Sequence, residues 1–463
     1  MLFLQRDQVR SFHFTRCFFD EKAKTAHLCY AFNNGAMTFE ETICFHQAPD
    51  FDTPKRRHAF EQCLRLLHLA AGVSYYKAFV PERIKVDSTE LTKEEAAFFN
   101  LFYTAGLGEF SYRNNVSLNI SFPFADHVVR EKTDLRLKKR AVVPVGGGKD
   151  SIVSVETLKS VGLAPVLFSV GLPRPIKETI EISGLSSILV TRHISPDLTT
   201  LNNQAVRYGA LNGHVPVTGI IAFILMAAAV LYDFSDAVLS NERSANAGNT
   251  EKDGRIVNHQ WSKSLEFEKA FQQLTAPVIK DFRYFSLLRP LSELAIAKLF
   301  SRTRKYDMIF TSCNKAFKLD EKKRLDRWCA DCDKCRFVFL ALAPFMEKEK
   351  LIRIFGRNLL DDLSQQRGYE ELLGLSAFKP FECVGEIEES VLAFLMLADN
   401  PAWQGDAVIG ALADRLRQRW GKNRESLFEK IFTLSDNHLI PEEYADVIGI
   451  FEKQTGYGMG KRS

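Results

Sequence analysis

The stretch AVVPVGGGKDSIVSVETLKSVGLAPVLFSVG, from Ala141 to Gly171, decides the fold class of this chain. It contains a short apolar run, three consecutive glycines, a helical pattern and a second apolar run. A strand, a glycine loop and a helix in this order are typical of parallel α/β sheets, which bind ligands at the carboxyl ends of their strands. Glycines let backbone N–H groups approach an anion, and the helix N-terminus adds partial positive charge. The stretch therefore predicts a phosphate-binding loop, with a purely structural tight turn as the alternative.

The alternation of strand and helix continues on both sides of this loop. The apolar runs PVLFSV, SSILVT and DAVLSN predict further strands, and helical patterns separate them. Strands that alternate with helices indicate a mostly parallel sheet with helices on both faces. We therefore expect an α/β domain over residues 131–348.

The regions before and after this domain have different patterns. SFHFTRCFF and TAHLCYAF predict a β-hairpin, MTFEETICF predicts a third strand, and Thr92 with Glu95 predicts a capping box at the start of a helix. These features indicate an N-terminal α+β domain over residues 1–130. Strand signals fade after Lys348, and the apolar spacing beyond it predicts a C-terminal helical region over residues 349–463.

Composition limits the classes of function. The chain has 463 residues, of which 46% are hydrophobic and 25% charged, and its formal net charge is +4. This mild charge argues against nucleic acid as the main partner. The first ten residues contain charge and no apolar core of signal length, so we expect no signal segment. The longest apolar stretch, from Gly219, is too short to span a bilayer and predicts a buried helix. We expect a cytoplasmic protein with no membrane partner; the sequence does not indicate an oligomeric state.

The glycine loop continues into Lys149, Asp150 and Ser151. An aspartate beside phosphate is electrostatically sensible when Mg²⁺ lies between them. The run from Gly146 through Gly147 and Gly148 to Ser151 resembles the SGGxDS loop of the N-type ATP pyrophosphatases, the PP-loop enzymes. The resemblance implies that these six residues bind ATP, with Mg²⁺ at Asp150, and that Ser169 on the next strand lies in the adenine pocket. One departure is visible, because Gly146 stands where that family has a serine.

Four of the nine cysteines form a cluster in the sequence, at Cys313, Cys329, Cys332 and Cys335. Two-residue gaps let neighbouring thiolates reach one tetrahedral ion, so the spacing predicts a structural Zn²⁺ site. Metal-free buried thiols and a redox-active pair are the alternatives. The arrangement resembles the zinc knuckle of another PP-loop enzyme, 7-cyano-7-deazaguanine synthase.

The polar stretch from Leu239 to Phe271 follows a predicted strand and holds many donors, acceptors and titratable groups. It predicts a binding surface, with a solvated surface loop as the alternative. Its segments NERSANAGN and VNHQWSKSLEFE, together with GGGKDS and CADCDKCRFVFLAL, resemble the UDP-N-acetyl-α-D-muramoyl-L-alanyl-L-glutamate epimerases of bacterial peptidoglycan synthesis. FYTAGLGEF and KPFECVGEIEE extend the resemblance along the chain.

The resemblance implies that ATP and Mg²⁺ support inversion of the terminal L-glutamate of the UDP-linked muramoyl dipeptide. Adenylation of the glutamate α-carboxylate would remove its charge and make the α-proton acidic. For the base that takes this proton we consider His259 first, because its unperturbed pKa suits transfer near neutrality, then Glu242 and Cys383. Arg243 and Lys263 are candidates for orienting a carboxylate or diphosphate.

Two other functions fit parts of the sequence. Another PP-loop ATP-dependent ligase or nucleobase-modifying enzyme would use the same loop and zinc knuckle. A nucleotide-sensing or nucleic-acid-binding zinc protein would use them without catalysis. Release of AMP and pyrophosphate separates both enzyme readings from the sensor.

Overall fold

A computed structural model describes residues 3–130, 133–318, 321–376 and 380–456. Its architecture is mixed α/β, with helices and a large β-sheet that combines parallel and antiparallel strand pairs. The strands in chain order are β1 (Ser11–Asp20), β2 (Thr25–Phe32), β3 (Met37–Phe45), β4 (Arg83–Val86), β5 (Ala141–Pro144), β6 (Val166–Val170), β7 (Ser187–His193), β8 (Asp236–Leu239), β9 (Thr250–Lys252), β10 (Arg255–Val257) and β11 (Arg283–Ser286).

The helices occur between these strands and throughout the C-terminal part of the described chain. In chain order they are α1 (Pro54–Ala71), α2 (Val73–Tyr76), α3 (Lys93–Gly106), α4 (Gly108–Asn114), α5 (Lys149–Ser160), α6 (Arg174–Ser183), α7 (Pro196–Asn203), α8 (Ala205–Tyr208), α9 (Val217–Tyr232), α10 (Leu265–Thr275), α11 (Glu293–Phe300), α12 (Asp333–Leu342), α13 (Lys348–Phe355), α14 (Gln366–Leu372), α15 (Ile387–Ala398), α16 (Ala407–Trp420), α17 (Arg424–Phe432) and α18 (Ala445–Thr455).

The chain divides into two compact units, each made of three segments. The first unit comprises residues 1–142, 188–237 and 250–284, and the second comprises residues 143–187, 238–249 and 285–463. The chain passes from one unit to the other within β5, β7, β8 and β11, and once more between β8 and β9. The domain boundaries expected at residues 130/131 and 348/349 stay predictions, and residue 131 lies outside the described residues.

In the first unit the strands follow the order β7-β3-β2-β1-β4. The predicted hairpin is confirmed, since β1 pairs antiparallel with β2 and β3 pairs antiparallel with β2. The apolar run SSILVT forms β7, and within this unit β7 pairs antiparallel with β3. A buried ion pair supports this pairing, because Arg192 of β7 donates to both oxygens of Glu41 of β3 at 2.7 and 3.1 Å. Neither charge could be buried alone without a large desolvation cost.

An aromatic core joins α3, α9 and α10 of the first unit. Phe102 of α3 packs against Phe223 of α9 and Phe267 of α10, and all three side chains are buried. Truncation of one such ring to alanine costs about 3–5 kcal/mol. The predicted capping box is present at the start of α3, where Thr92 and Glu95 bond each other's backbone N–H groups. The apolar stretch from Gly219 lies in the buried helix α9, and no helix among the described residues is long and apolar enough to cross a bilayer.

In the second unit the strands follow the order β11-β8-β5-β6. β5 leads into the glycine loop and then into α5, as the opening stretch predicts. Helix α5 packs against α11, α11 against α12, and α12 against α15. Through these contacts, helices from distant parts of the chain lie near the glycine loop at the end of β5.

Candidate active site

The three glycines of the loop differ in how strongly their surroundings require glycine. Gly147 has a φ of +73°, and a Cβ built there would lie 2.9 Å from Cβ of Pro175. A Cβ on Gly148 would lie 2.7 Å from Oγ of Ser312. A Cβ on Gly146 would have no atom within 4 Å. The loop conformation therefore requires glycine at 147, a side chain at 148 would displace the hydroxyl of Ser312, and position 146 is sterically open.

The loop is held from the other side by the segment that leads into the cysteine cluster. The carbonyl oxygen of Gly147 accepts a hydrogen bond from the N–H of Thr311 at 2.9 Å. The hydroxyl of Thr311 accepts in turn from the N–H of Cys313 at 3.2 Å. Two hydrogen bonds therefore connect the glycine loop with the first cysteine of the cluster.

Lys149, the first residue of α5, does not extend into solvent. Its ammonium group is buried and contacts the carboxylates of Asp150 and Glu293. Burial alone would lower the pKa of Lys149, but the two carboxylates outweigh this effect and raise it. Lys149 is therefore a fixed positive charge behind the loop.

Three carboxylates converge beside this lysine. Asp150, Glu242 and Glu293 each offer an oxygen, and these oxygens lie within 4.8 Å of one another. Burial raises the pKa of Glu293, and the neighbouring Asp150 and Glu242 raise it further, while Lys149 opposes them. Carboxylate oxygens are the protein ligands that Mg²⁺ prefers, so this donor set fits a divalent cation between protein and phosphate.

A fourth acid, Glu389 of α15, orders the residues behind the carboxylates. Its two oxygens accept hydrogen bonds from the backbone N–H groups of Glu293 at 2.7 Å and Glu386 at 2.6 Å. Burial, followed by the charge of Glu293, raises the pKa of Glu389 to about 7. Glu389 thus holds the first turn of α11 in place.

The two neighbours Glu242 and Arg243 have different surroundings. Glu242 is buried with the carboxylates, and its carbonyl oxygen accepts from the buried guanidinium of Arg289 at 2.6 Å. The guanidinium of Arg243 donates to the carbonyl oxygens of Thr433 at 3.1 Å and Ile431 at 3.2 Å, at the end of α17. A cation at a helix C-terminus satisfies carbonyls that lack intrahelical partners. The side chain of Glu242 therefore belongs to the cluster of three carboxylates, whereas that of Arg243 is directed to the end of α17.

The four clustered cysteines converge in space. The Sγ–Sγ distances are 3.9 Å for Cys313–Cys332, 3.6 Å for Cys329–Cys335 and 3.5 Å for Cys332–Cys335. Sulfur atoms about 2.3 Å from a tetrahedral Zn²⁺ lie about 3.8 Å apart, so the thiols fit that ion without rearrangement. Hydrogen bonds with Cys332 and Cys335 lower the pKa of Cys313 to about 3, which favours a thiolate.

Two of the remaining candidates in the second unit lie at defined positions. Ser169 of β6 is buried, and its Oγ has no hydrogen-bond partner in the part of the chain that the structure describes. A buried hydroxyl without a protein partner fits a site that a ligand completes. Cys383 is half-buried, and its carbonyl oxygen accepts from the ammonium of Lys334.

His259 lies in the first unit, in a group that the structure reveals. Its Nδ1 bonds Oε2 of Glu109, the second residue of α4. Nδ1 of His214 lies 3.6 Å from the same oxygen, and the two imidazole rings have centroids 4.4 Å apart. Arg113, one turn along α4, donates to the other oxygen of Glu109 at 2.5 Å.

The charges of this group are set by its partners. Burial alone would raise the pKa of Glu109, but the hydrogen bond with His259 and the charges around it lower the pKa below its usual range. Burial lowers the pKa of His214 to about 4, and the neighbouring His259 and Lys263 lower it as well. Glu109 is therefore a carboxylate and His214 a neutral imidazole near pH 7.

The backbone around His259 is anchored by its neighbours. The side chain of Trp261 is buried against Phe102 and Phe267. Its backbone N–H donates to the carbonyl oxygen of Asn258 at 3.1 Å. Lys263 closes the same short turn with a hydrogen bond from its N–H to the carbonyl oxygen of Gln260 at 2.7 Å. This packing fixes His259 relative to α4.

Several residues of these groups could not be selected from the sequence. Glu293 follows the helix cap Ser292 and reads as an acid in a first helical turn, and Arg289 and His214 belong to no motif. Glu109 and Glu389 do lie inside FYTAGLGEF and KPFECVGEIEE, the stretches that extended the family resemblance. Those two stretches were therefore a usable signal, although each holds more than one titratable residue.

Comparisons with known proteins define the chain as an isomerase of the epimerase class. Two family models match it in succession, one described as the MurL N-terminal domain over residues 3–287 and one as the MurL C-terminal domain over residues 309–427. Three curated relatives at 42–43% identity are all named epimerases. The reading as a non-catalytic sensor is therefore wrong.

The relatives share one name. A protein from Xanthomonas oryzae pv. oryzae is 43% identical over 94% of this chain and 96% of its own length. One from Salinispora tropica is 42% identical over 96% of this chain and 97% of its own, and one from a Micromonospora strain is 42% identical over 90% and 92%. All three are named UDP-N-acetyl-alpha-D-muramoyl-L-alanyl-L-glutamate epimerase, and this chain belongs to that family. The resemblance drawn from the motifs is confirmed.

Proposed function

We propose that the chain inverts the terminal L-glutamate of UDP-N-acetylmuramoyl-L-alanyl-L-glutamate in an ATP-dependent reaction of peptidoglycan precursor synthesis. The observation that carries the ATP dependence is the glycine loop of the second unit, with Lys149 and three converging carboxylates beside it. The names of the relatives support the substrate and the inversion. The reaction releases AMP and pyrophosphate and proceeds in the cytoplasm, where ATP is available.

The need for ATP follows from the acidity of the substrate. Removing a proton beside a carboxylate places a second negative charge on the same group of atoms. Transfer of AMP to that carboxylate removes the first charge, and the carbonyl of the acyl-adenylate then accepts the electron pair of the broken C–H bond. A base takes the proton, a proton returns on the opposite face, and water releases AMP from the inverted product.

Within this proposal the loop residues bind the nucleotide. The N–H groups of the loop and the start of α5, from Gly146 to Ser151, would bind phosphate, and Lys149 supplies fixed positive charge. Asp150, Glu242 and Glu293 would hold Mg²⁺, which neutralises phosphate charge when it is bound. The buried hydroxyl of Ser169 would bond the nucleotide, and the four cysteines would hold a structural Zn²⁺.

The remaining candidates act on the substrate. His259 is the proposed base, and the position of Glu242 among the carboxylates favours a metal-binding role for that residue instead. Lys263 and Arg243 stay candidates for the substrate's carboxylate or diphosphate groups. Because Arg243 also binds the end of α17, its substitution changes that contact together with any substrate contact.

The test is an assay with the UDP-linked L-alanyl-L-glutamate substrate, ATP and Mg²⁺. We expect D-glutamate in the hydrolysed product and AMP with pyrophosphate in equal amounts. ADP in place of AMP would contradict the acyl-adenylate, and D-glutamate formed without ATP would contradict the role of the loop. AMP formation with another acceptor, and no D-glutamate, would favour the ligase reading.

A further inference from the structure

We propose that Glu109 is the positioning residue of the proton-transfer base His259, so that the two side chains act as one acid–base pair. This inference rests on the proposed function, because it assigns the residue that orients the base of that reaction. It starts from a contact that the sequence did not suggest, between the second residue of α4 and a residue 150 positions later in the chain.

The contact fixes which nitrogen of His259 can accept a proton. An ionised carboxylate only accepts hydrogen bonds, so Nδ1 of His259 must carry the hydrogen that it shares with Oε2 of Glu109. In the neutral ring the lone pair then lies on Nε2. That nitrogen is the one that takes the α-proton, while the carboxylate stabilises the imidazolium that results.

The Glu109 carboxylate is held rigidly, while part of the His259 ring is accessible. The Glu109 side chain is 6% exposed, and its second oxygen is bound by Arg113 at 2.5 Å. The His259 side chain is 14% exposed. The carboxylate therefore cannot turn away from the ring, and the ring keeps a surface that a ligand can reach.

The position of His214 excludes it as a second base on the opposite face of the substrate. Two bases that act on opposite faces of one carbon must leave room for that carbon between them. The rings of His214 and His259 are in contact, with centroids 4.4 Å apart and planes inclined by 45°. His214 thus packs beside the base and serves as part of its support.

The charges around the pair favour proton transfer over binding of a metal cation. Glu109, His214 and His259 could together surround an ion. However, Arg113 is bound to Glu109, and Lys263 lies close enough to lower the pKa of His214. A cation bound to the Glu109 carboxylate and a second cation near His214 oppose a further divalent cation and suit an anionic substrate.

The proton-transfer step balances within the proposed reaction. The α C–H bond of the adenylated glutamate breaks, its proton forms an N–H bond at Nε2 of His259, and its electron pair moves into the acyl carbonyl. No oxidant, reductant or further reactant is needed. The imidazolium is then paired with Glu109 until its proton exchanges with solvent or returns.

The experiment measures two rates in each variant, pyrophosphate release and incorporation of deuterium from D₂O at the glutamate α-carbon. In E109Q we expect deuterium incorporation to fall by roughly 10–100-fold, since this is the usual effect of removing a partner that orients a functional histidine. Pyrophosphate release should stay within about twofold, because adenylation precedes deprotonation. E109D, which keeps the charge, should retain more exchange than E109Q.

Two further variants make the test specific. E40Q is the matched control, because Glu40 bonds Nδ1 of His27 at 2.5 Å in the same unit, and it should change neither rate. The double variant E109Q/H259N should incorporate deuterium no more slowly than H259N, because residues that act as a unit are not additive.

Several outcomes would overturn the proposal. Equal loss of both rates in a folded E109Q protein would make Glu109 a binding or structural residue, and additive losses in the double variant would separate Glu109 from His259. A metal ion that remains bound in C332S but is lost in H214A would show that Glu109, His214 and His259 form a metal site instead of an acid–base pair. Absence of pyrophosphate release from the unchanged protein would instead contradict the proposed function itself.

Discussion

Lys149 and Glu293 form a buried ion pair across 144 positions of sequence, and their side chains are only 1% and 2% exposed. The pair joins the first residue of α5 to the first residue of α11. It therefore ties the helix that follows the glycine loop to the helix that carries one of the three carboxylates.

The first prediction concerns the stability that this pair provides. Glu293→Ala removes one of the two carboxylates that contact the buried ammonium of Lys149, and loss of one member of a buried pair costs about 3–5 kcal/mol. We expect a loss of this size in the free energy of unfolding, measured by urea denaturation. Glu425→Ala, at an exposed position of α17, is the control and should cost less than about 0.5 kcal/mol. Equal small losses would mean that the pair does not support the fold.

The second prediction separates chemistry from stability at the loop. Asp150 is more exposed than Glu293, so Asp150→Ala should change the free energy of unfolding by less than about 1 kcal/mol. It should abolish AMP formation, because the proposed metal loses a ligand beside the phosphates. Adenylation at a normal rate in the folded variant would remove Asp150 from the mechanism.

The third prediction concerns the four cysteines. We expect one tightly bound Zn²⁺ per chain by elemental analysis, and Cys332→Ser should lose it and lower the thermal unfolding temperature. It should also weaken binding of a non-hydrolysable ATP analogue in calorimetry, because Cys313 and Thr311 support the loop at Gly147. Cys44→Ser, outside the cluster, is the control. Protein purified without chelator and free of zinc would contradict this prediction.

The fourth prediction compares two glycines of the loop. Gly147→Ala places a side chain at a φ of +73° and 2.9 Å from Pro175, so we expect a loss of about 1–3 kcal/mol and weaker nucleotide binding. Gly146→Ser enters open space and should leave stability within about 0.5 kcal/mol. Both changes in the free energy of unfolding can be measured by chemical denaturation. A strongly destabilised Gly146→Ser protein would show that the first position is constrained after all.

The fifth prediction concerns pH. Burial raises the pKa of Glu389 in the folded state to about 7, from its ordinary value of 4.5. Between these values the folded chain keeps a proton that the unfolded chain has lost, so stability falls as pH rises from about 4.5 to about 7 and levels off above that. This group contributes a change on the order of 3 kcal/mol. Glu389→Gln should reduce the decline of the unfolding free energy with pH across this range. If the slope against pH is unchanged, other groups cause the decline.

Local patterns predicted the local structure well. The alternation in β1 to β3, the capping box of Thr92 and Glu95, and the strand–loop–helix around Gly147 depend on neighbouring residues, and all are present. The antiparallel pairing of β7 with β3 was not predictable, because it depends on Arg192 meeting Glu41 across 151 positions. Apolar runs give the existence of a strand but not the direction of its neighbour.

The candidate site shows the same limit. Spacing alone identified the four cysteines and the loop, since their members are close in sequence. Glu293 and Glu109 reach Lys149 and His259 only through the packing of α11 and α4 in their respective units, and neither contact could be predicted from the sequence. A carboxylate in the first turn of a helix is common for reasons of helix stability alone, so its second role becomes visible only in three dimensions.

The repeated passage of the chain between its two units has a consequence for biosynthesis. Each unit is assembled from three separated segments, so neither unit can be expressed alone as one continuous stretch of the sequence. During translation the first unit stays incomplete until residue 284 has left the ribosome, by which time parts of the second have already been made. Long-range closures of this kind slow folding and expose unpaired strands meanwhile. The nascent chain must therefore be protected until more than half of it has been synthesised.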